Sequence, residues 1–298
     1  MSPPTLTWIV NGVSHDLNDA DTLCKLLEYD GLGMPPLHRL EDRGPLQNGV
    51  TDRGFRLDPR TILIGLGIVG SDESDFFEKR HALTQIFTPR DRVGRLKWTL
   101  GSTVRQIEGH LVGDGLSFGA GGHEYLWQKC AVAIRCPDPV WYDPNAVSLR
   151  FNLGGGGDVD EVPSPVPSLV GASTLDVTKV INYAGSWLTK PRIIIRGPIA
   201  DPVITHEQTG HKLDFTGVTL GSGEWYEIDT RWDYLTVKDD AGDNQIDTLS
   251  DDSDLAEFAI YHEMEVGGSG ANTFSVTGTS VDAATDVEIV YYTRYLGV

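Results

Sequence analysis

Between residues 182 and 230 the chain reads NYAGSWLTKPRIIIRGPIADPVITHEQTGHKLDFTGVTLGSGEWYEIDT. Apolar and β-branched runs at Arg192–Arg196, 211–220 and 225–230 are separated by Gly-Pro, Thr-Gly and Gly-Ser-Gly. This is the pattern of short strands joined by tight turns, a β-meander. Strands recur at short intervals to the end of the chain, closing with Asp286–Tyr295, DVEIVYYTRY, as in an all-β sandwich.

The stretch 154–168, GGGGDVDEVPSPVPS, combines free backbone with proline stiffening and reads as an interdomain linker or a long surface loop. Taken as a linker, it separates a domain at 1–153 from a second at 169–298. Strands are expected in the first domain at 7–13, 55–64, 96–99, 105–112 and 128–135. One helix is expected at 72–87, capped by Ser71 or Ser74, with acidic residues in its first turn and Pro89 beyond its end. Phe76, Phe77, Leu83, Ile86 and Phe87 form its apolar stripe. A weaker helix pattern covers 20–29. The whole is mainly β with a single docked helix.

Charge is divided unevenly. Residues 1–150 hold 16 Lys and Arg against 19 Asp and Glu, whereas residues 151–298 hold 8 against 24. With a net charge of −19, the chain lacks the basic surface that nucleic-acid binding needs, and it disfavours anionic membranes. No apolar run reaches the length of a membrane span, and the N-terminus has no signal-peptide pattern. Cys24, Cys130 and Cys136 are too few for a disulfide framework. Period 2 puts Cys130 and Cys136 on one strand face as small core residues, pointing to synthesis in a reducing cytosol.

Each chemical motif has a plainer explanation. Gly65-Leu-Gly67-Ile-Val-Gly70 follows a strand and precedes a helix, as a dinucleotide fingerprint does. No acidic residue closes a following parallel strand, however, so a turn between strand segments accounts for the glycines. The acidic tract from Asp239 to Asp254 lacks calcium-loop spacing and reads as a solvated turn, with a loosely held Ca²⁺ left open. His206-Glu207 and His262-Glu263 lack the H-E-x-x-H spacing, and no G-x-S-x-G occurs. No catalytic, cofactor or metal residues are therefore assigned. Aromatics crowd the second half, and Trp225 and Trp232 are candidates for stacking on sugar rings. The adjacent pairs Trp225/Tyr226 and Tyr291/Tyr292 must split between opposite sheet faces.

Three stretches carry a family resemblance: GFRLDPRTILIGLGIVGSDESDFFEKRHALTQIFTP with WTLGSTVRQIEGHLVGDGLSF, PDPVWYDP, and the opening segment at 182–230. In order and spacing the chain resembles siphophage distal tail proteins. The resemblance implies a split-barrel N-terminal domain with one helix and a galectin-like C-terminal sandwich. It further implies a structural, non-enzymatic protein of the virion tail tip or baseplate, made in the host cytoplasm. Six copies would form a ring around a channel for DNA, between the major tail tube protein and the tail-associated hub or fibre proteins, with the tape-measure protein in the passage. Arg56, Arg60 and Arg80 are candidates for ring contacts. A carbohydrate-binding or adhesin module recognising the host surface is the alternative.

Overall fold

The computed structural model describes residues 4–89, 93–152, 173–262 and 270–298. The sequence-predicted linker at 154–168 lies outside them. Within them the chain forms two compact units, one of Met1–Pro144 with Tyr295–Val298, the other of Asn145–Arg294.

Unit 1 contains β1 (Thr5–Val10), β2 (Val13–Asp16), β3 (Lys25–Asp30), β4 (Leu37–Asp42), β5 (Thr51–Leu57), β6 (Arg60–Val69), helix α1 (Glu73–Ile86), β7 (Gly94–Leu100), β8 (Thr103–Glu124), β9 (Trp127–Cys136) and the start of β10 (Trp141–Asn152). The ladders run antiparallel in the orders β2-β1-β7-β8 and β8-β9-β6-β3. The long β8 serves both sheets: it pairs with β7 as far as Gly109 and with β9 from His110. Alternating side chains from β1, β6 and β9 fill one core, with Leu6, Ile62, Leu66 and Ile134 fully buried. The sheets are open at β2 and β3, and no barrel closes among the described residues.

Helix α1 covers this core through Phe76, Leu83, Ile86 and Phe87. Two local expectations, the cap and one member of the apolar stripe, differ from the structure. Asp72, not Ser71 or Ser74, is the N-cap, accepting from the Asp75 amide at 3.0 Å. Phe77 is 54% exposed, because it lies about 100° round the helix from Phe76. Lys79 takes the inward position instead, donating from Nζ to the Val69 and Ala20 carbonyls and pairing with Asp75 at 3.1 Å.

The expected helix at 20–29 is a turn followed by β3. The Asp19 carboxylate accepts from the Thr22 hydroxyl and from the amides of Asp21 and Thr22, while the Asp19 carbonyl accepts from the Leu23 and Cys24 amides. Local bonding of this kind competes with helix formation. The glycines at 65 and 67 are not in a turn but inside β6, which is antiparallel to both neighbours. A Cβ at Gly65 would stand 2.6 Å from Glu28 Cγ, and one at Gly70 would stand 2.5 Å from Phe76 Cβ. These glycines serve close packing of side chains over β6 and of α1 against its end.

Unit 2 contains the remainder of β10, then β11 (Ser173–Asn182), β12 (Arg192–Arg196), β13 (Ile199–His206), β14 (Lys212–Asp214), β15 (Thr219–Leu220), β16 (Trp225–Asp229), β17 (Thr236–Asp239), β18 (Ala271–Val281) and β19 (Asp286–Tyr295), which ends one residue inside unit 1. One layer runs β17-β16-β12-β19 and the other β11-β18-β13-β14, with β15 also on β13. Ile193, Ile195, Ile228 and Ile289 from the first layer meet Ile204, Leu213, Phe274 and Val276 from the second in one core. This is sandwich packing. The meander read at 182–230 is corrected: β12 pairs with β16 and β19, while β13 joins the opposite layer. The expected strand at 211–220 accordingly breaks into β14 and β15, which both pair with β13.

Candidate assembly and binding surfaces

β4 and β5 form a two-stranded sheet of their own, hydrogen-bonded to no other strand among the described residues. Gln47 closes its loop, donating from its amide to the Gly44 carbonyl and accepting through Oε1 from the Gly44 amide. Arg39 pairs with Asp52 at 2.9 Å and Arg53 with Asp42 at 3.3 Å. Both pairs are more than half exposed, so each is worth at most about 1 kcal/mol. Met34, Leu37, Leu40, Leu46, Val50 and Phe55 stand exposed on or beside this hairpin, Leu46 completely so. A lone two-stranded hairpin is marginal in water. One that displays this much apolar surface gains stability by packing on something else.

The three candidate arginines have different surroundings. Arg56 is exposed on β5 and pairs with Asp58 at 3.3 Å. Arg80 on α1 lies 4.4 Å from the Phe118 ring centroid. Arg60 is 1% exposed, and its guanidinium donates to the carbonyls of Gly31, Gly33 and Leu296. Burial pulls its pKa down to about 10. Arg105, which sequence reasoning did not single out, donates to the Gly297 carbonyl and stacks 3.6 Å from the centre of the Tyr295 ring. Together Arg60 and Arg105 tie the last residues of the chain into unit 1. Nothing in the local sequence signalled this, because the partners are carbonyls about two hundred positions away.

In unit 2 the adjacent aromatics separate as period 2 requires: Tyr226 and Tyr291 are buried, Tyr292 is 40% exposed and Trp225 is half-buried. Trp225 stands on β16 opposite Arg196. Trp232 is instead on the turn after β16 and is 58% exposed. The structure thus places the two stacking candidates on different elements. Behind Trp232 lies Lys190, a residue sequence reasoning missed, with Nζ 4.4 Å from the ring centroid. Burial lowers the Lys190 pKa to about 8.

Glu288 is the centre of the charged network in this unit. Its carboxylate accepts from Ser148 Oγ at 2.6 Å, Arg196 at 2.8 Å and Arg150 at 3.1 Å. The Ser148 hydroxyl above all, then the two guanidiniums, hold its pKa down to about 2 against the opposing effect of burial. The acidic tract is bonded to its own backbone, with Asp239 accepting from the amides of Ala241 and Asp243. No group of three metal-ligating side chains occurs among the described residues. Burial pushes the thiols of Cys24, Cys130 and Cys136 up to about 12, which suits core residues and not nucleophiles. His206 is fully buried between Thr209 and Asn272, and its pKa is lowered chiefly by burial. No described helix is long and apolar enough to cross a membrane.

Residues 30–98 match the family described as phage tail protein RIFT-related domain. That stretch contains the β4–β5 hairpin, β6, α1 and most of β7. No curated protein matches the chain. Among solved structures, the Dit protein (gp 19.1) of phage SPP1, described as a paradigm of the hub adsorption apparatus in phages infecting Gram-positive bacteria, is 14% identical. The match covers 97% of this chain and 98% of that one at a TM-score of 0.65. A chain of the phage P2 baseplate in its activated conformation with Ca is 10% identical over 100% of both chains, at a TM-score of 0.46. The corresponding structure with Sr gives 10% identity over 98% of each chain at 0.44. Residues 30–98 are therefore similar to a phage tail domain, and the chain is similar in fold to the SPP1 Dit protein.

Proposed function

We propose that this chain, as a phage tail protein with the fold of a distal tail protein, is a structural subunit of the tail tip that assembles as a six-membered ring. The ring joins the major tail tube protein to the tail-associated hub or fibre proteins and leaves a passage for DNA and the tape-measure protein. The observation that carries this reading is the β4–β5 hairpin. It displays Leu37, Leu40, Leu46, Val50 and Phe55 to solvent and pairs with no further strand among the described residues. An arm that packs on a different surface of the next copy makes a heterologous contact, and such contacts close into a ring when the rotation allows.

The charge distribution supports the same reading. The first 150 residues are nearly balanced in charge and can approach their copies, whereas the strongly acidic remainder repels its copies and stays apart. Arg56, exposed on β5, is the best placed of the three arginines for a contact between copies. The protein belongs by this reading in the virion tail and has no enzymatic role.

Native mass measurement combined with negative-stain imaging of the purified chain tests the proposal. Six copies of a 32.6 kDa chain would weigh roughly 196 kDa and show a central hole. If the chain stays monomeric both alone and with its tail tube protein, the ring is refuted.

A further inference from the structure

We infer that the turn following β16 is a binding platform for a neutral saccharide, formed by Trp232 and Tyr234 and held by Arg231 and Lys190. The inference goes beyond the ring reading and is independent of it.

Each aromatic ring has a cation against it and is more than half exposed. Lys190 Nζ lies 4.4 Å from the Trp232 centroid, and the Arg231 guanidinium lies 4.2 Å from that of Tyr234. The rings are nonetheless 58% and 57% exposed. The cations are themselves anchored. Lys190 is 6% exposed and donates to the Ala256 carbonyl. Arg231 grips Asp229 through three side-chain bonds, Nε to Oδ1 at 2.9 Å and to Oδ2 at 3.1 Å, and Nη2 to Oδ2 at 2.6 Å. The turn is closed by the Tyr234 and Leu235 amides, which donate to the Arg231 carbonyl at 2.9 and 3.0 Å. Both rings are thus held in place before any ligand arrives, so little side-chain freedom is lost on binding.

The surrounding chemistry selects the ligand class. A flat ring face accepts the C–H face of a pyranose. Anionic ligands are disfavoured, because residues 151–298 carry 24 acidic against 8 basic residues and Arg231 is already paired with Asp229. Trp225 is not part of the platform, being half-buried on β16 beside Arg196.

The test uses the full chain with methyl glycosides of glucose, galactose, rhamnose and N-acetylglucosamine, and oligosaccharides of the same sugars on an array. Binding is read by tryptophan fluorescence and saturation-transfer NMR. At least one sugar should bind saturably, and Trp232→Ala should weaken it roughly tenfold, as loss of a stacked ring does. Tyr234→Ala should weaken it by less. Trp232→Phe should retain part of the affinity, and Tyr125→Ala, at an 83% exposed site in unit 1, should leave it unchanged. If Trp232→Ala does not fold, Tyr234→Ala and Trp232→Phe decide. Failure to bind any of these sugars overturns the inference, as does equal binding by the variants. Burial of Trp232 against another copy in the assembled particle, seen as loss of iodide quenching, overturns it as well.

Discussion

β12 and β4 are both short strands with arginines and aliphatic residues, yet the structure treats them in opposite ways. β12 lies between β16 and β19, and Ile193 and Ile195 are completely buried. Among the described residues β4 has one strand partner, β5, and its own six residues are all exposed. On the proposed ring reading, the contrast separates residues whose burial is completed inside the chain from residues that a neighbouring copy would cover. Substitution in the first class costs folding, and substitution in the second costs assembly.

The sharpest break of this comparison is Ile195→Ala. It leaves a cavity between the two layers of the sandwich and should lower stability by about 2–5 kcal/mol in denaturant titration. Arg60→Ala belongs to the same class despite its charge. It strands three carbonyls that the guanidinium now satisfies and should cost about 3 kcal/mol. Trimming residues 295–298 should have a similar effect on unit 1, read by amide exchange in β6. A small loss in either experiment would mean that the tail is not an anchor.

Glu288 gives a conditional effect. Its pKa falls from 4.5 to about 2 on folding, so its contribution is fully present above pH 4.5 and is lost as pH drops toward 2. Glu288→Gln should therefore flatten the acid limb of the stability profile in that window, as followed by thermal melting across pH. An unchanged acid limb would show that the Ser148–Arg150–Arg196 network does not govern acid unfolding.

The smallest stability effect, within about 0.5 kcal/mol, is expected from Leu40→Asp and Leu46→Asp on the hairpin. Leu46 has φ of 64°, a conformation that Asp tolerates better than Leu. The double variant should melt like the parent and yet fail to form rings in native mass measurement. Rings that persist would remove the hairpin from the interface.

Elements whose signals are local could be read in advance. Asp286–Tyr295 and Arg192–Arg196 are strands within the expected bounds, and α1 agrees to within a residue at each end. Errors arose where one local signal served two structures. The Asp-rich start at residue 19 suggested a helix but builds a turn, and the glycines at 65 and 67 suggested a turn but lie under Glu28 and Leu27 in a strand. Of the surface features, Trp232 was singled out by type alone. Lys190 and Arg231, which hold the platform rigid, gave no pattern of their own.

The order of apolar and turn residues determined by itself that this chain is mainly β with one helix, because period and punctuation act over a few neighbouring residues. It also determined the lopsided charge. Tertiary structure alone decided that β13 leaves the layer of β12, that Arg60 and Arg105 hold the chain's last residues, and that the β4–β5 hairpin joins no further strand among the described residues. Those outcomes depend on which distant groups meet. Pairing across many residues leaves no mark in the spacing of either partner.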